Sequence, residues 1–465
     1  MGHSDLYIYN TLTQAKELFI PLQPGQVKMY VCGMTVYDFC HVGHARVMVA
    51  FDVIVRFLRH IGYQVKYIRN ITDVDDKIFA RAQQNGEEFS KLTERFIAAM
   101  HEDEALLGND FPDVEPRATD FMIQIIQMIR ILMDKEVAYQ GSNGDVFFSI
   151  EKFKTYGELS KKKIEDLLAG ARVEIGQAKN NPLDFVLWKM AKPGEASWSS
   201  PWGEGRPGWH IECSAMSTYC LGNTFDIHGG GPDLKFPHHE NEIAQSEACT
   251  GQKFVNYWMH AGAVRVNKEK MSKSLGNFFT IREVFQKYSP EVIRFFLVSS
   301  QYRSQIDYSD LQLVEASASL DRLYQSLRGI SFSAGCCLEE YTNRFDSAMR
   351  DDFNTPEALA VMFEVSRELN KAKVDSSERA MDLACTLKYL GEVLGVLAQD
   401  PEAYFKGGVA VSCLISEQDI EKMIELRVQA RLEKNWAESD RIRDFLKEKG
   451  VILDDSREGT SWRRG

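Results

Sequence analysis

The stretch from Val27-Lys28-Met29-Tyr30-Val31-Cys32-Gly33, through His41-Val42-Gly43-His44, to Val65-Lys66-Tyr67-Ile68 decides the fold. Val27 to Val31 reads as a buried strand, and Gly33 stands where a sharp turn is easiest to make. A loop of turn-compatible residues then runs to His44. From Ala45 to His60, Val47, Phe51, Ile54, Val55 and Leu58 recur at helical spacing, and Gly62 suits the position beyond a helix end. Val65 to Ile68 is the next strand. Strand, crossover helix and strand form a right-handed parallel unit. The expected class is therefore α/β, a doubly wound, Rossmann-like parallel sheet that takes ligands at its carboxyl edge.

Working outward, helical patterns run from Asp75 to Asn85 and from Thr119 to Lys135, separated by Pro112 and Pro116. The mixed text from Tyr139 to Ala191 holds strands at Val146 to Ser149 and Phe185 to Lys189, and reads as an insertion. Ser197 to Trp209 reads as an ordered loop holding aromatic rings. Phe225 to His228 is a short strand and Gly229 to Gly231 a tight turn. Pro237 fits the first turn of a helix running to about Ala248, and Tyr257 to Ala261 resembles a last strand. From Ile281 onward the chain is helical, with good helix starts at Ser309-Asp310 and Thr355-Pro356-Glu357, and a bundle is expected to Leu397. Asp400 to Val411 reads as a linker. Ser416-Glu417-Gln418-Asp419 resembles a capping box before a small tail that closes on Trp462-Arg463-Arg464. The expected division is a sheet domain (1–111 and 206–261), an insertion (112–205), a lysine-containing region (262–310), a helical bundle (311–400) and a small C-terminal domain (401–465).

A chain of 465 residues is too long for one core and should split into about three to five domains. No segment long enough to span a bilayer is free of charge, and Met1 to Pro21 lacks the basic start and apolar run of a signal peptide, so no membrane partner and a cytoplasmic location are expected. The nine cysteines include no C-x-x-C pair, and a chain of this size needs no disulfide staples. The adjacent Cys336 and Cys337 receive no role. The 55 basic and 67 acidic residues leave a net charge of −12, which argues against general nucleic-acid affinity, so any RNA contact must be local and salt-dependent.

His41-Val42-Gly43-His44 lies between the first strand and its helix. Backbone amides at a helix start attract phosphate oxygens, Gly43 permits close approach, and two imidazoles can donate to phosphate. Lys270-Met271-Ser272-Lys273-Ser274 supplies mobile point charges for a polyphosphate on a loop that Gly276 frees to move. Alone, the first string also fits two partly exposed loop histidines, and the second a lysine-rich turn. Together and in this order they resemble the HIGH and KMSKS signatures of class I aminoacyl-tRNA synthetases. Val42 stands where isoleucine or leucine is usual and keeps the apolar anchor.

Four further segments resemble cysteinyl-tRNA synthetases: Met29-Tyr30-Val31-Cys32-Gly33, Gly208-Trp209-His210-Ile211-Glu212-Cys213, Gly229-Gly230-Gly231 and Phe236-Pro237-His238-His239-Glu240-Asn241-Glu242. The likeness runs from Asn10-Thr11-Leu12 to Trp462-Arg463-Arg464. His238 and Glu242, four apart, face one way on a helix, and Cys32 and Cys213 follow strands or loops that can converge there. Two thiolates, an imidazole and a carboxylate suit zinc, although buried cysteines and a surface His/Glu pair explain the spacing equally. The resemblance selects Cys32, Cys213, His238 and Glu242, rather than Cys220, His239 and Glu240, for one Zn2+ per chain.

The same resemblance implies ATP, bound with Mg2+ by His41, Gly43, His44, Lys270, Ser272 and Lys273. His41, His44, Lys270 and Lys273 would be the catalytic groups. It implies L-cysteine held near Thr72, Trp209 and His228, and a cognate cysteine tRNA. For packing alone, Trp209 could fill space, Thr72 cap a helix and His228 end a strand with its bonds satisfied. Region 262–310 would contact the tRNA stem, and the bundle and tail the anticodon arm, with the enzyme a monomer. In the tail, Arg427, Arg431, Lys434, Trp436, Arg441 and Arg443 combine charge with a stacking surface. Interleaved acidic residues also fit a salt-bridged helix face. A related cysteine ligase of mycothiol synthesis resembles the same segments without the full tail. A non-catalytic RNA-binding protein with structural zinc would not need both phosphate signatures.

Overall fold

Val27, Met29 and Val31 are buried in one apolar cluster, and Tyr30, between them, in another. That alternation belongs to a strand covered on both faces. In a computed structural model, which describes residues 5–163, 178–192, 195–266, 269–270, 279–330, 336–375, 377–406, 416–455 and 459–464, this strand is β3 (Gln26–Val31). A hairpin of β1 (Tyr7–Asn10) and β2 (Ala15–Leu18) precedes it. Helix α1 (Val42–His60) crosses over to β4 (Gln64–Arg69), which pairs in parallel with β3 from Gln26 opposite Gln64 to Val31 opposite Arg69. The helix starts at Val42 and not at Ala45, because the His41 ring caps it.

Helix α2 (Asp76–Asn85) leads to α3 (Phe89–Leu106), an element the sequence reading leaves out although Leu92, Phe96, Ile97 and Met100 are buried at helical spacing. Residues 113–117 then run along the outer edge of β4: Arg69 N–H donates to the Val114 carbonyl at 3.2 Å and Ile71 N–H to that of Pro116 at 2.9 Å. Contact with the sheet thus continues past residue 111. Helix α4 (Met122–Asp134) follows, with an antiparallel sheet of β5 (Ala138–Gln140), β6 (Val146–Phe148), β7 (Phe185–Met190) and β8 (Gly205–Pro207). Strand β8 straddles the expected 205/206 boundary.

Trp209 does not end a loop; it opens α5 (Trp209–Leu221). Gly229 and Gly230 belong to β9 (Phe225–Gly230) and not to a turn. A Cβ on Gly229 would lie 2.3 Å from the Phe51 ring, so glycine there lets α1 lie close to the strand. One wide turn at Lys235–His239 leads into α6 (Glu240–Thr250), and β10 (Val255–His260) completes the sheet. The order is β10-β9-β3-β4, all parallel. Strand order reverses between β3 and β9, the topological switch point where such sheets form a crevice at their carboxyl ends.

Beyond the sheet, β11 (Val264–Val266), β12 (Glu269–Lys270) and β13 (Ile306–Tyr308) form a small sheet beside α7 (Ile281–Phe285) and α8 (Pro290–Val298). The bundle is α9 (Asp310–Leu327), α10 (Glu339–Arg350), α11 (Thr355–Asp375) and α12 (Ser377–Leu394), with Leu320, Phe345, Met362 and Leu387 buried in the same core as α1. Fully buried Arg294 of α8 ties bundle to sheet domain: it pairs with Asp52 of α1 and donates to the Leu394 carbonyl at 2.8 Å and to Asn109 Oδ1 at 2.8 Å. The expected linker instead begins with a short helix, α13 (Pro401–Lys406), and residues 407–411 lie outside the described residues. Ser416 caps α14 (Glu417–Leu432), followed by α15 (Trp436–Glu448) and a hairpin of β14 (Val451–Asp455) and β15 (Thr460–Arg464). Among the described residues no helix is long and apolar enough to cross a membrane.

Candidate active site

Four buried polar side chains converge at the crevice. Cys32 follows β3, Cys213 lies in the first turns of α5, and His238 and Glu242 sit at the entry to α6. Cys213 is thus presented by a helix and not by a strand or loop. Cys32 Sγ lies 3.6 Å from Cys213 Sγ, 3.4 Å from His238 Nε2 and 3.3 Å from Glu242 Oε1, and His238 Nε2 lies 3.1 Å from Glu242 Oε1. The two sulfurs are not bonded, since a disulfide needs about 2.05 Å. One ligand atom from each residue falls within 4.8 Å of all the others. A second grouping, Cys32, His228, His239 and Glu242, meets the same distance but offers a single sulfur, and its His228 Nε2 already bonds the other Glu242 oxygen at 2.9 Å.

Burial opposes charge on every member, yet Cys213, His238 and Glu242 keep theirs. Against burial and Glu242, the Cys32 hydrogen bond and His238 bring Cys213 down to about 6. Burial and the neighbouring Cys213 and Glu242 push Cys32 up, so it keeps its proton. Burial lowers His238, but Cys213 and Glu242 outweigh it and raise the ring to about 10. Glu242, despite burial, is held at about 2 by His228 and His238. A dication that displaced the protons of Cys32 and His238 would leave the net charge of this pocket unchanged. The S2NO donor set is one that zinc accepts, and the residues present therefore fit that ion.

Neighbouring side chains orient these donors. His210 Nδ1 lies 2.9 Å from His238 Nδ1, fixing the ring that turns Nε2 toward the sulfurs. Asn70 Oδ1 lies 3.6 Å from Cys213 Sγ and accepts the Gly33 N–H at 2.9 Å. Sequence reading missed both. His210 had a signal, standing three residues before Cys213 and so on one helix face with it; nothing in the sequence marks Asn70. Thr72 is buried and accepts from Asn70 Nδ2 at 3.1 Å, one bond removed from Cys213. Trp209 is 38% exposed, with its ring 4.3 Å from that of His238, and lines an open cleft of about 390 Å3 with Asp76 and Arg206. His228 has no exposed surface; it stands behind Glu242 and stacks on Trp258 at 4.5 Å.

At the start of α1 the His41 ring accepts the His44 N–H at 3.2 Å through Nδ1, and His44 Nδ1 accepts the His41 N–H at 3.4 Å. The rings stack with centroids 3.5 Å apart. A neutral ring that accepts at Nδ1 carries its proton on Nε2, so the cap presets both histidines as Nε2–H donors at a positive helix end, with Gly43 between them. Lys270 lies in β12 with its backbone opposite Arg265. Ser272 and Lys273 lie outside the described residues.

In the C-terminal unit Arg427 is buried and bonds Asp455 through both terminal nitrogens at 2.8 Å, Arg431 pairs with Asp455 at 3.2 Å, and Arg441 pairs with Glu438. Trp436 remains 59% exposed.

Residues 18–318 match the family described as tRNA synthetases class I (C) catalytic domain, and residues 344–399 match the DALR domain. The chain is 61% identical over 459 residues to a cysteine–tRNA ligase of Marinomonas sp., covering 99% of this chain and 100% of that one. It is 62% identical over 458 residues to the cysteine–tRNA ligase of Azotobacter vinelandii, covering 98% and 99%. Among solved structures, Mycobacterium tuberculosis methionyl-tRNA synthetase in complex with methionyl-adenylate superposes with a TM-score of 0.56 at 16% identity, over 79% of this chain and 89% of that one. An Agrobacterium radiobacter K84 LeuRS in a ternary complex superposes with a TM-score of 0.57 at 12% identity, over 83% and 86%. The solved structures share the fold, and the catalytic-domain match with the near full-length identities carries the stronger conclusion: the chain belongs to the cysteine–tRNA ligase family of class I tRNA synthetases.

Proposed function

We propose that the chain activates L-cysteine with ATP to cysteinyl-adenylate and pyrophosphate, then transfers cysteine to the 3′-terminal ribose of its cognate tRNA. The observation that carries this reading is the convergence of Cys32, Cys213, His238 and Glu242 at the switch point of the sheet, beside the phosphate-compatible start of α1. These four residues would hold one zinc ion, which when bound would supply a preference for thiolate over alcohol and so separate cysteine from serine where shape alone discriminates weakly. Thr72 and Trp209 border the amino-acid pocket, and His228 acts on it through Glu242.

The substrate carboxylate is already anionic and attacks the α-phosphorus without a general base. His41 and His44 donate from Nε2 to ATP phosphate oxygens, and Gly43 lets the nucleotide approach the helix amides. Lys270, Ser272 and Lys273 bind the β- and γ-phosphates, whose charge grows as pyrophosphate leaves, with Mg2+ arriving on the nucleotide. Region 262–310 meets the tRNA stem, the bundle binds the anticodon arm and residues 401–465 read the anticodon. The match of residues 344–399 to the DALR domain supports a tRNA acceptor over a small-molecule one. The enzyme works as a monomer in the cytoplasm. Cysteine-dependent ATP–pyrophosphate exchange tests the reading: exchange with cysteine and little with serine is expected, and none with cysteine would overturn it.

A further inference from the structure

Beside the phosphate motif, two pieces of chain distant in sequence are joined backbone to backbone. His41 pairs with Thr280 in an antiparallel bridge, and Ile281 N–H donates to the Cys40 carbonyl at 2.8 Å. Thr280 caps α7, accepting the Glu283 N–H at 3.2 Å while the Glu283 carboxylate accepts the Thr280 N–H at 2.7 Å. Five residues are too few for a self-supporting helix, so something else must orient this one. Arg282 does. Its Nε donates to Asp103 Oδ1 at 2.8 Å, and one terminal nitrogen donates to the Ala99 carbonyl at 3.0 Å and to Glu102 at 2.7 Å. The face of its guanidinium lies 5.0 Å over the Phe39 ring, which packs edge-on against Phe96 at 5.3 Å. One side chain therefore grips α3 with its donors and the loop before α1 with its face.

We infer that Arg282, held by Asp103, is a positioning residue for the ATP phosphate site, setting where His41 and His44 present their donors. The inference rests on the nucleotide role proposed above for those histidines. Arg282 touches no reacting group. It acts through the Phe39-Cys40-His41 segment, and it also anchors the chain just downstream of the Lys270–Ser274 string. Energetics argue against a merely structural pair. Asp103 is 1% exposed, and its second oxygen has no partner among the described residues. Burial, opposed by Arg282 and reinforced by Glu102 and Glu104, pushes its carboxyl up to about 6. The Cys40 thiol of the preceding loop also faces Asp103, which with burial helps to push that thiol up. A carboxyl raised in the fold contributes stability that is full below its unfolded value of about 3.9 and is lost as pH rises through about 6. At neutral pH the ionised form thus costs the fold, and asparagine there should be neutral or stabilising.

The test uses the full chain in ATP–pyrophosphate exchange, with wild type, Arg282→Ala, Arg282→Lys and Asp103→Asn compared. An inactive wild type would remove the nucleotide reading itself, separately from this inference. With an active wild type, we expect kcat/KM for ATP to fall about 10- to 100-fold in Arg282→Ala, the scale on which misplaced catalytic groups cost rate. The KM for cysteine should stay within about twofold, and Arg282→Lys should recover part of the loss. Asp103→Asn should lose ATP kcat/KM with no fall in thermal midpoint, and should lack the acidic limb near pH 6 expected of wild type. Wild-type ATP kinetics in Asp103→Asn and Arg282→Lys would overturn the inference, as would losses shared equally by ATP and cysteine. If Arg282→Ala does not fold, the other two variants still decide.

Discussion

The cysteine-histidine centre and the C-terminal unit solve opposite problems. The first assembles Cys32, Cys213, His238 and Glu242 from three separate stretches of chain into a buried pocket where none is more than 5% exposed. The second is built locally: α14, α15 and the β14–β15 hairpin close over Ile420, Ile442, Leu446, Val451 and Trp462, while Leu432 and Trp436 stay 74% and 59% exposed. The proposed separation of two amino acids differing by one atom would need donors fixed by dense packing around them. The anticodon role proposed for the second would need a presented surface, which a small module tethered after the bundle can offer. The Arg427–Asp455 pair adds to a core that is small among the described residues: a buried guanidinium does part of the stapling.

The sharpest way to break the comparison is at the buried centre. Cys213→Ser should lose zinc, measured by elemental analysis, and cysteine activation should drop by about 10³-fold or more, because each donor is part of one unit. Retained zinc with normal activation would remove Cys213 from the metal shell. Lys273→Ala comes next, lowering the rate of adenylate formation by about 10²-fold with little change in cysteine binding, since its charge matters where pyrophosphate develops. Equal single-turnover rates would exclude Lys273 from the chemistry.

At the other region, a chain ending at Lys406 should keep pyrophosphate exchange within a few-fold while charging tRNA at least about 10-fold less well. Undiminished charging would strip the tail of its recognition role. Within the tail, Arg427→Ala leaves Asp455 without its main partner and removes a buried guanidinium from a small core. The C-terminal unit alone should weaken by about 1–3 kcal/mol, seen as faster amide exchange after residue 416 with the sheet domain unchanged.

The smallest effect concerns α3. His101 bonds Glu115 at 2.7 Å, and that hydrogen bond, against partial burial, raises its pKa. A raised histidine stabilises fully below its unfolded value of about 6.5 and loses that contribution as pH climbs through the raised one. His101→Gln should therefore destabilise slightly at pH 5 and not at pH 9. A pH-independent difference in thermal midpoint would assign the effect to packing.

Residues 26–69 were readable because a two-residue and a 3.6-residue period follow each other there with little interruption. Even so, the expected start of α1 missed by three residues, since no period reveals that an imidazole can cap a helix in the way His41 does. The Gly229-Gly230 pair misled for a different reason. Glycine ordinarily signals a turn, but here it answers a close approach of Phe51 from α1, a tertiary fact. Helix α3 escaped because polar residues dilute its apolar spacing, and α5 because it is buried nearly all round and shows almost no amphipathic contrast.

By itself the sequence determined which groups were on offer: two thiols, an i,i+4 histidine and glutamate, a histidine pair at a strand-to-helix junction, and a parallel sheet with its carboxyl edge toward them. These follow from local periodicity, residue chemistry and family likeness. Only the tertiary structure decided that Cys213 arrives on a helix, that His228 stands behind Glu242, that His210 steadies His238, and that Arg282 clasps the loop before α1 to α3. The physical reason is range. Helix caps and periods are set by neighbours within a turn or two, whereas a coordination pocket depends on strand order and on a strand end meeting a helix across 210 positions of chain, as Cys32 and Glu242 do.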